Sequence, residues 1–197
     1  MNNTFNDKST VEMDGHVLIK DADSGEVLLD KHNHINFENM SEAMAGGLVN
    51  AVDTASGEPF HIEKLAYGNG GTAVSGTGAI TYNTPNTTSA DGELYNETYI
   101  KAVNVSPFDN ENNISVEHEN GQHYTDIKIT STLDYTEPSG QNSDDTGTDM
   151  EDDYVFDEIG LKLKTGKFIT HLIFHPIEKA ANRKIQVIYT LRIRAGN

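Results

Sequence analysis

The chain has 197 residues and a mass of 21.6 kDa, enough for one sizeable core and too little for two full-sized domains. Its 14 Lys and Arg stand against 31 Asp and Glu, a net charge of −17, which repels phosphate backbones and anionic lipid and argues against nucleic-acid and membrane partners. With no cysteine, disulfide frameworks, thiolate zinc sites, iron–sulfur clusters and thiol nucleophiles are excluded.

No window reaches a run of about 18 apolar residues, and the opening from Met1 to Lys8 lacks the apolar stretch of a secretory signal. The expectation is a soluble protein made in the cytoplasm. The hydrophobic share is only 36%, yet the apolar residues gather in short runs of period two while Asn, Asp, Thr, Ser and Gly fill the gaps. That pattern reads as long polar loops on a real core.

Residues 1–14 read as a polar N-terminal arm. His16–Lys20 and Glu26–Asp30 flank the turn-forming cluster Asp21-Ala22-Asp23-Ser24-Gly25 and predict a β-hairpin. Asn39, with Glu42 three residues on, reads as the start of an amphipathic helix over Met40–Val52. Gly46 and Gly47 each weaken that helix by about 1 kcal/mol relative to Ala, so something is expected to approach its backbone closely. Glu63–Tyr67 reads as a short strand running into Gly68-Asn69-Gly70-Gly71. The excursion at 69–93 is Gly, Thr, Ser, Asn and Pro with few anchors, and is expected to be an exposed assembly arm whose removal leaves the domain folded.

Thr98–Val103, Ile114–Val116 and Tyr124–Leu133 read as strands, the last with clear alternation. A second polar excursion, 136–153, carries Asp144, Asp145, Asp149, Glu151, Asp152 and Asp153. Strands over Tyr154–Leu163, Phe168–Phe174 and Lys184–Arg194 follow, the last placing Ile185, Val187, Tyr189, Leu191 and Ile193 on one face. About eight or nine strands and one helix predict a mainly β fold. Its form is an antiparallel β-sandwich spanning 15–197 with one amphipathic helix and two long polar loops. A jelly-roll strand order stays open.

Carboxylates in a flexible loop can supply the oxygens calcium prefers, so Asp144, Asp145 and Asp149 are candidate ligands of a structural calcium ion. The stretch lacks the ordered calcium-loop spacing, as does Asp21–Gly25, and a solvated acidic loop is the plainer reading. His32 and His34, two residues apart, share one face if they lie on one strand and are candidate metal ligands. His171 and His175 share a face in the same way. Each pair falls short of the three or four ligands a metal needs, and strand-end histidines bonded to backbone are the alternative. Asp157 and Glu158 invite a glycosidase reading, but strand neighbours point to opposite faces, which favours a capping or ion-pair role. Gly68–Ala73 has no following helix or Walker lysine and reads as a turn. Nothing reads as an active site, so no catalysis and no cofactor beyond structural calcium are expected.

Ala66-Tyr67-Gly68-Asn69-Gly70-Gly71, Leu94-Tyr95-Asn96-Glu97-Thr98-Tyr99, Val155-Phe156-Asp157-Glu158-Ile159-Gly160-Leu161 and His171-Leu172-Ile173-Phe174-His175-Pro176 occur jointly, in order, between about His16 and Arg194. Together they resemble a virion structural protein of contractile-tailed bacteriophages of marine and cyanobacterial hosts. Phe156–Leu161 also resembles β-rich tail-fibre and baseplate attachment domains. The resemblance implies a particle component without known chemistry: a tail, baseplate or neck adaptor, contacting other virion proteins and repeated in a ring or lattice. Its assembly contacts are expected at Phe5, Asn69, Gly70, Gly71, Thr72, Tyr82, Pro85 and Tyr95. Capsid decoration is the alternative within that class. A carbohydrate-binding module is disfavoured because the chain has no tryptophan to serve as a binding platform.

Overall fold

The computed structural model describes residues 10–105, 111–139 and 155–196. In chain order these form β1 (Thr10–Asp21), β2 (Val27–His32), β3 (His34–Ile35), helix α1 (Phe37–Leu48), β4 (Ile62–Gly68), β5 (Thr72–Val74), β6 (Ile80–Tyr82) and β7 (Glu97–Ala102). There follow β8 (Asn112–Glu117), β9 (Tyr124–Leu133), β10 (Val155–Leu163), β11 (Thr170–Glu178) and β12 (Ile185–Gly196). One sheet has the order β2-β1-β12-β9-β8 and a second β3-β11-β10-β4-β7, while β5 and β6 form a separate hairpin. Every strand pairing within these sheets is antiparallel. The fold is a mainly β antiparallel sandwich with one helix among the described residues. Hairpins β1–β2, β8–β9 and β10–β11 each stay within one sheet, so the path does not alternate between layers as a jelly roll does.

The alternation read in the sequence sets the layers. Val17 and Ile19 of β1, Ile129 and Leu133 of β9, and Ile185, Val187, Tyr189 and Leu191 of β12 are buried against Leu65, Tyr67, Ile159, Leu161, Leu172 and Phe174 of the second sheet. Full burial of side chains of this size stabilises by about 1.5–3 kcal/mol each. Two tyrosine hydroxyls reach polar partners inside this core. Tyr67 donates to Ser131 Oγ across the sandwich at 3.0 Å, and Asn33 Nδ2 donates to the hydroxyl of Tyr189.

Asn33 is also the corner at which the chain leaves one sheet for the other. His32 ends β2 and His34 opens β3, so the two histidines do not share a strand face. The corner fits because position 15 has no side chain: a Cβ there would lie 1.7 Å from Asn33 Oδ1.

The predicted N-terminal arm is shorter than 1–14, since β1 begins at Thr10 and pairs with β12 from Thr10↔Gly196 onward. The helix starts earlier than predicted. Asn36 is its cap, its side chain accepting from the Asn39 amide at 3.2 Å. Asn39 is instead a buried helical residue that donates to Phe168 O and Ala90 O. The close approach expected at the glycines is real at Gly46, where a Cβ would come within 2.4 Å of the Phe60 ring. β11 continues through Pro176 because β3 covers only Thr170 and His171, leaving the rest of that side as an edge that needs no amide donor.

Val187 is fully buried, and a charge there has no partner. Val187→Asp is expected to cost several kcal/mol, on the scale of the total stability of about 5–15 kcal/mol of a typical domain. Circular dichroism should show no cooperative unfolding transition. A soluble variant with an unchanged transition contradicts the assignment of this face to the core.

Candidate functional site

The outer face of the second sheet is where the titratable side chains converge. Asp157, Glu158 and His171 are all essentially fully buried, although strand alternation predicts that adjacent carboxylates diverge. A bulge is the reason. The β10–β11 register shifts between Phe156 and Glu158, so that Phe156 and Ile159, three positions apart, both join the inner core and the two acids between them face the same way.

Both carboxylates bind the backbone of the excursion. Asp157 accepts from the amides of Gly71 at 2.8 Å and Thr72 at 2.7 Å, and from the Thr72 hydroxyl. Glu158 accepts from the amides of Gly70 at 3.1 Å, Tyr95 at 2.9 Å and Asn96 at 2.8 Å. Its Oε2 also lies 2.9 Å from His171 Nε2. The other ring nitrogen, Nδ1, accepts from the Asn86 amide at 2.9 Å. That donor fixes the tautomer: Nδ1 is bare, and the ring proton sits on Nε2, aimed at Glu158.

The two acids titrate in opposite directions. For Glu158 burial pushes the carboxyl up, but the bond from His171 and the amides of Asn96 and Tyr95 outweigh it and hold it below the ordinary value of 4.5. For Asp157 burial wins over the donors from Thr72 and Gly71, and the carboxyl is held above its ordinary value.

The glycines make this approach feasible. A Cβ at Gly68 would lie 2.5 Å from Glu158 Oε1, and one at Gly71 would lie 3.0 Å from Asp157 Oδ1. Gly68-Asn69-Gly70-Gly71 is therefore a turn, as read, and the cradle for two carboxylates.

The excursion is anchored at its two ends and around Asn86, and residues 73–79 and 81–84 between them are exposed. Asn69, Gly71 and Thr72, expected at an assembly interface, are buried against the domain, with Gly70 half-buried. Leu94 packs with Ala66 and Phe168, and Asn36 Nδ2 donates to Ser89 O at 2.7 Å. Removal of Thr72–Ala90 would strip donors from Asp157 and His171, so it is expected to destabilise the domain. Tyr82 and Tyr95 remain about half exposed and Pro85 is half-buried. Phe5 lies outside the described residues.

The histidine pairs are not assembled as metal ligands. His32 Nδ1 meets Asp14 Oδ1 at 3.1 Å, and His34 stands opposite His171 in the β3–β11 register. His175 Nδ1 lies 3.2 Å from the Tyr82 hydroxyl. Among the described residues no three His, Asp or Glu side chains are grouped to hold a metal. Asp144, Asp145 and Asp149 lie outside the described residues.

A surface concavity of about 400 Å³ beside Phe37, Arg192 and Arg194 shares no lining residue with this cluster. Its arginines are already paired, with Asp126 and Glu12. Among the described residues no helix is long and apolar enough to cross a membrane. Compared with known proteins, the chain matches no family model, no curated protein and no solved structure.

Because its folded pKa is depressed, Glu158 contributes stability above pH 4.5 that is lost as pH falls through and below that value. Asp157 acts oppositely: its charge costs stability near neutrality, and the cost lifts as pH falls through its raised pKa. Glu158→Gln is expected to lower stability near neutral pH by about 2–4 kcal/mol. It should also flatten the acid limb below pH 4.5. Urea unfolding at a series of pH values measures both, and an unchanged acid limb contradicts the role given to Glu158.

Proposed function

We propose that the protein is a non-enzymatic structural subunit of a tailed-phage particle, made in the host cytoplasm and acting as an adaptor or fibre-attachment protein of the tail, baseplate or neck. The observation that carries the non-catalytic part is the bonding of the buried cluster. Asp157, Glu158 and His171 are occupied by the protein's own amides and by each other, and a group sealed in this way has no path to a substrate.

The outward features favour protein contact. Leu48, Val49 and Val52, at the end of α1, are 87%, 75% and 56% exposed, a density of large apolar side chains that marks interaction surfaces. The proposed occupant is another virion protein that presents apolar side chains within a basic rim, since a net charge of −17 favours a positively charged neighbour over a like copy. Copies held in a ring or lattice by such a neighbour belong to the same reading. The resemblance to contractile-tailed phage virion proteins supports the particle assignment.

Leu48→Asp with Val49→Asp alters only exposed positions and is expected to change stability by no more than about 0.5 kcal/mol per site. Particles grown with this variant should lack the subunit, and normal incorporation contradicts the docking role. Gold-labelled antibody on intact particles then locates the wild-type chain. Label at the tail or neck supports the adaptor reading, label over the head replaces it with capsid decoration, and no label removes the virion assignment.

A further inference from the structure

His171 is held between a carboxylate and a backbone amide, and the two contacts respond differently to a second proton. Nε2 donates to Glu158 Oε2, and Nδ1 accepts from the Asn86 N–H. A proton added at Nδ1 strengthens the first contact by turning it into a charge-assisted bond. It abolishes the second, leaving two N–H groups facing each other in a site with 1% exposure. The ring therefore stays with Glu158, and the Asn86 segment is the part that must move.

We propose that His171 is an acid-operated latch on the excursion: protonation releases the backbone around Asn86 and opens the face of the second sheet that it covers. The surroundings confine the movement. Thr84 is tied through its carbonyl to the Tyr95 hydroxyl at 2.8 Å and bounds the stretch on one side, since the Tyr95 amide stays on Glu158. Ser89 and Ala90 are held by the amides of Asn36 and Asn39, which do not titrate, so the released stretch lies between Thr84 and Thr88.

The titratable groups around the ring are known from each element packed on it. They are Glu158 and Asp157 from β10, His34 opposite in β3, and Tyr95 of the excursion with its ring centre 5.7 Å away. His175, on the same strand, meets the Tyr82 hydroxyl. A hydroxyl can reverse its role from donor to acceptor, so protonation of His175 does not break that contact. His175 is the control.

Backbone hydrogen exchange followed by nuclear magnetic resonance tests the latch on the full chain. His171→Gln keeps a donor for Glu158 and an acceptor for Asn86 without a titratable proton. On acidification from neutral pH, protection of the wild-type Asn86 amide should fall about tenfold or more relative to His171→Gln at the same pH. His175→Gln should behave like wild type, and the Tyr189 and Leu191 amides of β12 should keep their protection. Should His171→Gln not fold, the wild-type comparison of Asn86 with those core amides decides the matter. Loss at Asn86 alone supports the latch, whereas parallel loss or constant protection overturns it. Ring ¹⁵N shifts showing a proton on His171 Nδ1 at neutral pH overturn it as well.

Discussion

Two adjacent carboxylates buried under a loop are tolerable only if every exposed lone pair meets a donor, and that requirement organises one whole face of this sandwich. Desolvating an ion without partners costs several kcal/mol, comparable to the net stability of a domain. Amides from both ends of the excursion supply the donors, Gly70 to Thr72 at its start and Tyr95 with Asn96 at its end, enough to outweigh burial at Glu158 and not at Asp157. The pair thus closes a loop of more than twenty residues much as a metal ion or disulfide does elsewhere, with backbone amides as the ligands.

The constraint propagates in both directions along the chain. Upstream it favours glycine where the carboxylates approach: Gly68 has no room for a side chain, and at Gly71 a Cβ would be a tight fit. Downstream it fixes His171, whose ring supplies Glu158 with its fourth donor and receives the Asn86 amide in return. The helix is drawn in as well. Asn36 and Asn39, one capping α1 and one inside it, send their side-chain amides to the carbonyls of Ser89 and Ala90. A polar composition that looks unsupported in isolation is supported by asparagine side chains and carboxylates from elsewhere in the sequence.

This division explains what was legible beforehand. Strands β9 and β12 were readable because alternation over ten or more residues leaves one interpretation, and so was the sandwich they help to build, whereas the first half of β1 was hidden in a polar stretch. Strands β3, β5 and β6 span two or three residues each, too few to show a period, and they exist only because partners are supplied from outside. The pairing of Asp157 with Glu158 was hidden by the bulge, since period-two reasoning sends neighbours to opposite faces. The signal that could have exposed it was the coincidence of a glycine-rich turn with two adjacent acids in an otherwise apolar strand: such acids need donors, and closely spaced glycines offer bare amides. The helix cap was misplaced by three residues because Asn36 and Asn39 both satisfy the capping preference. Only tertiary contact, burying Asn39 against Phe168 O, separates them.

The same contrast between sealed and open chemistry bears on function. Asp157, Glu158 and His171 are turned inward and bonded within the protein, whereas large apolar side chains that folding would ordinarily bury stand outside, at Leu48, Val49 and Val52. Retaining such residues on a surface of high negative charge is costly to an isolated molecule only in solubility, and the charge offsets that cost by keeping free copies apart. The arrangement gains meaning when a neighbour with the opposite charge covers the apolar corner, because electrostatic attraction then speeds the encounter and apolar contact retains it. Under the proposed function, specificity lies in the outer surface, and the buried acids hold the loop that forms part of it.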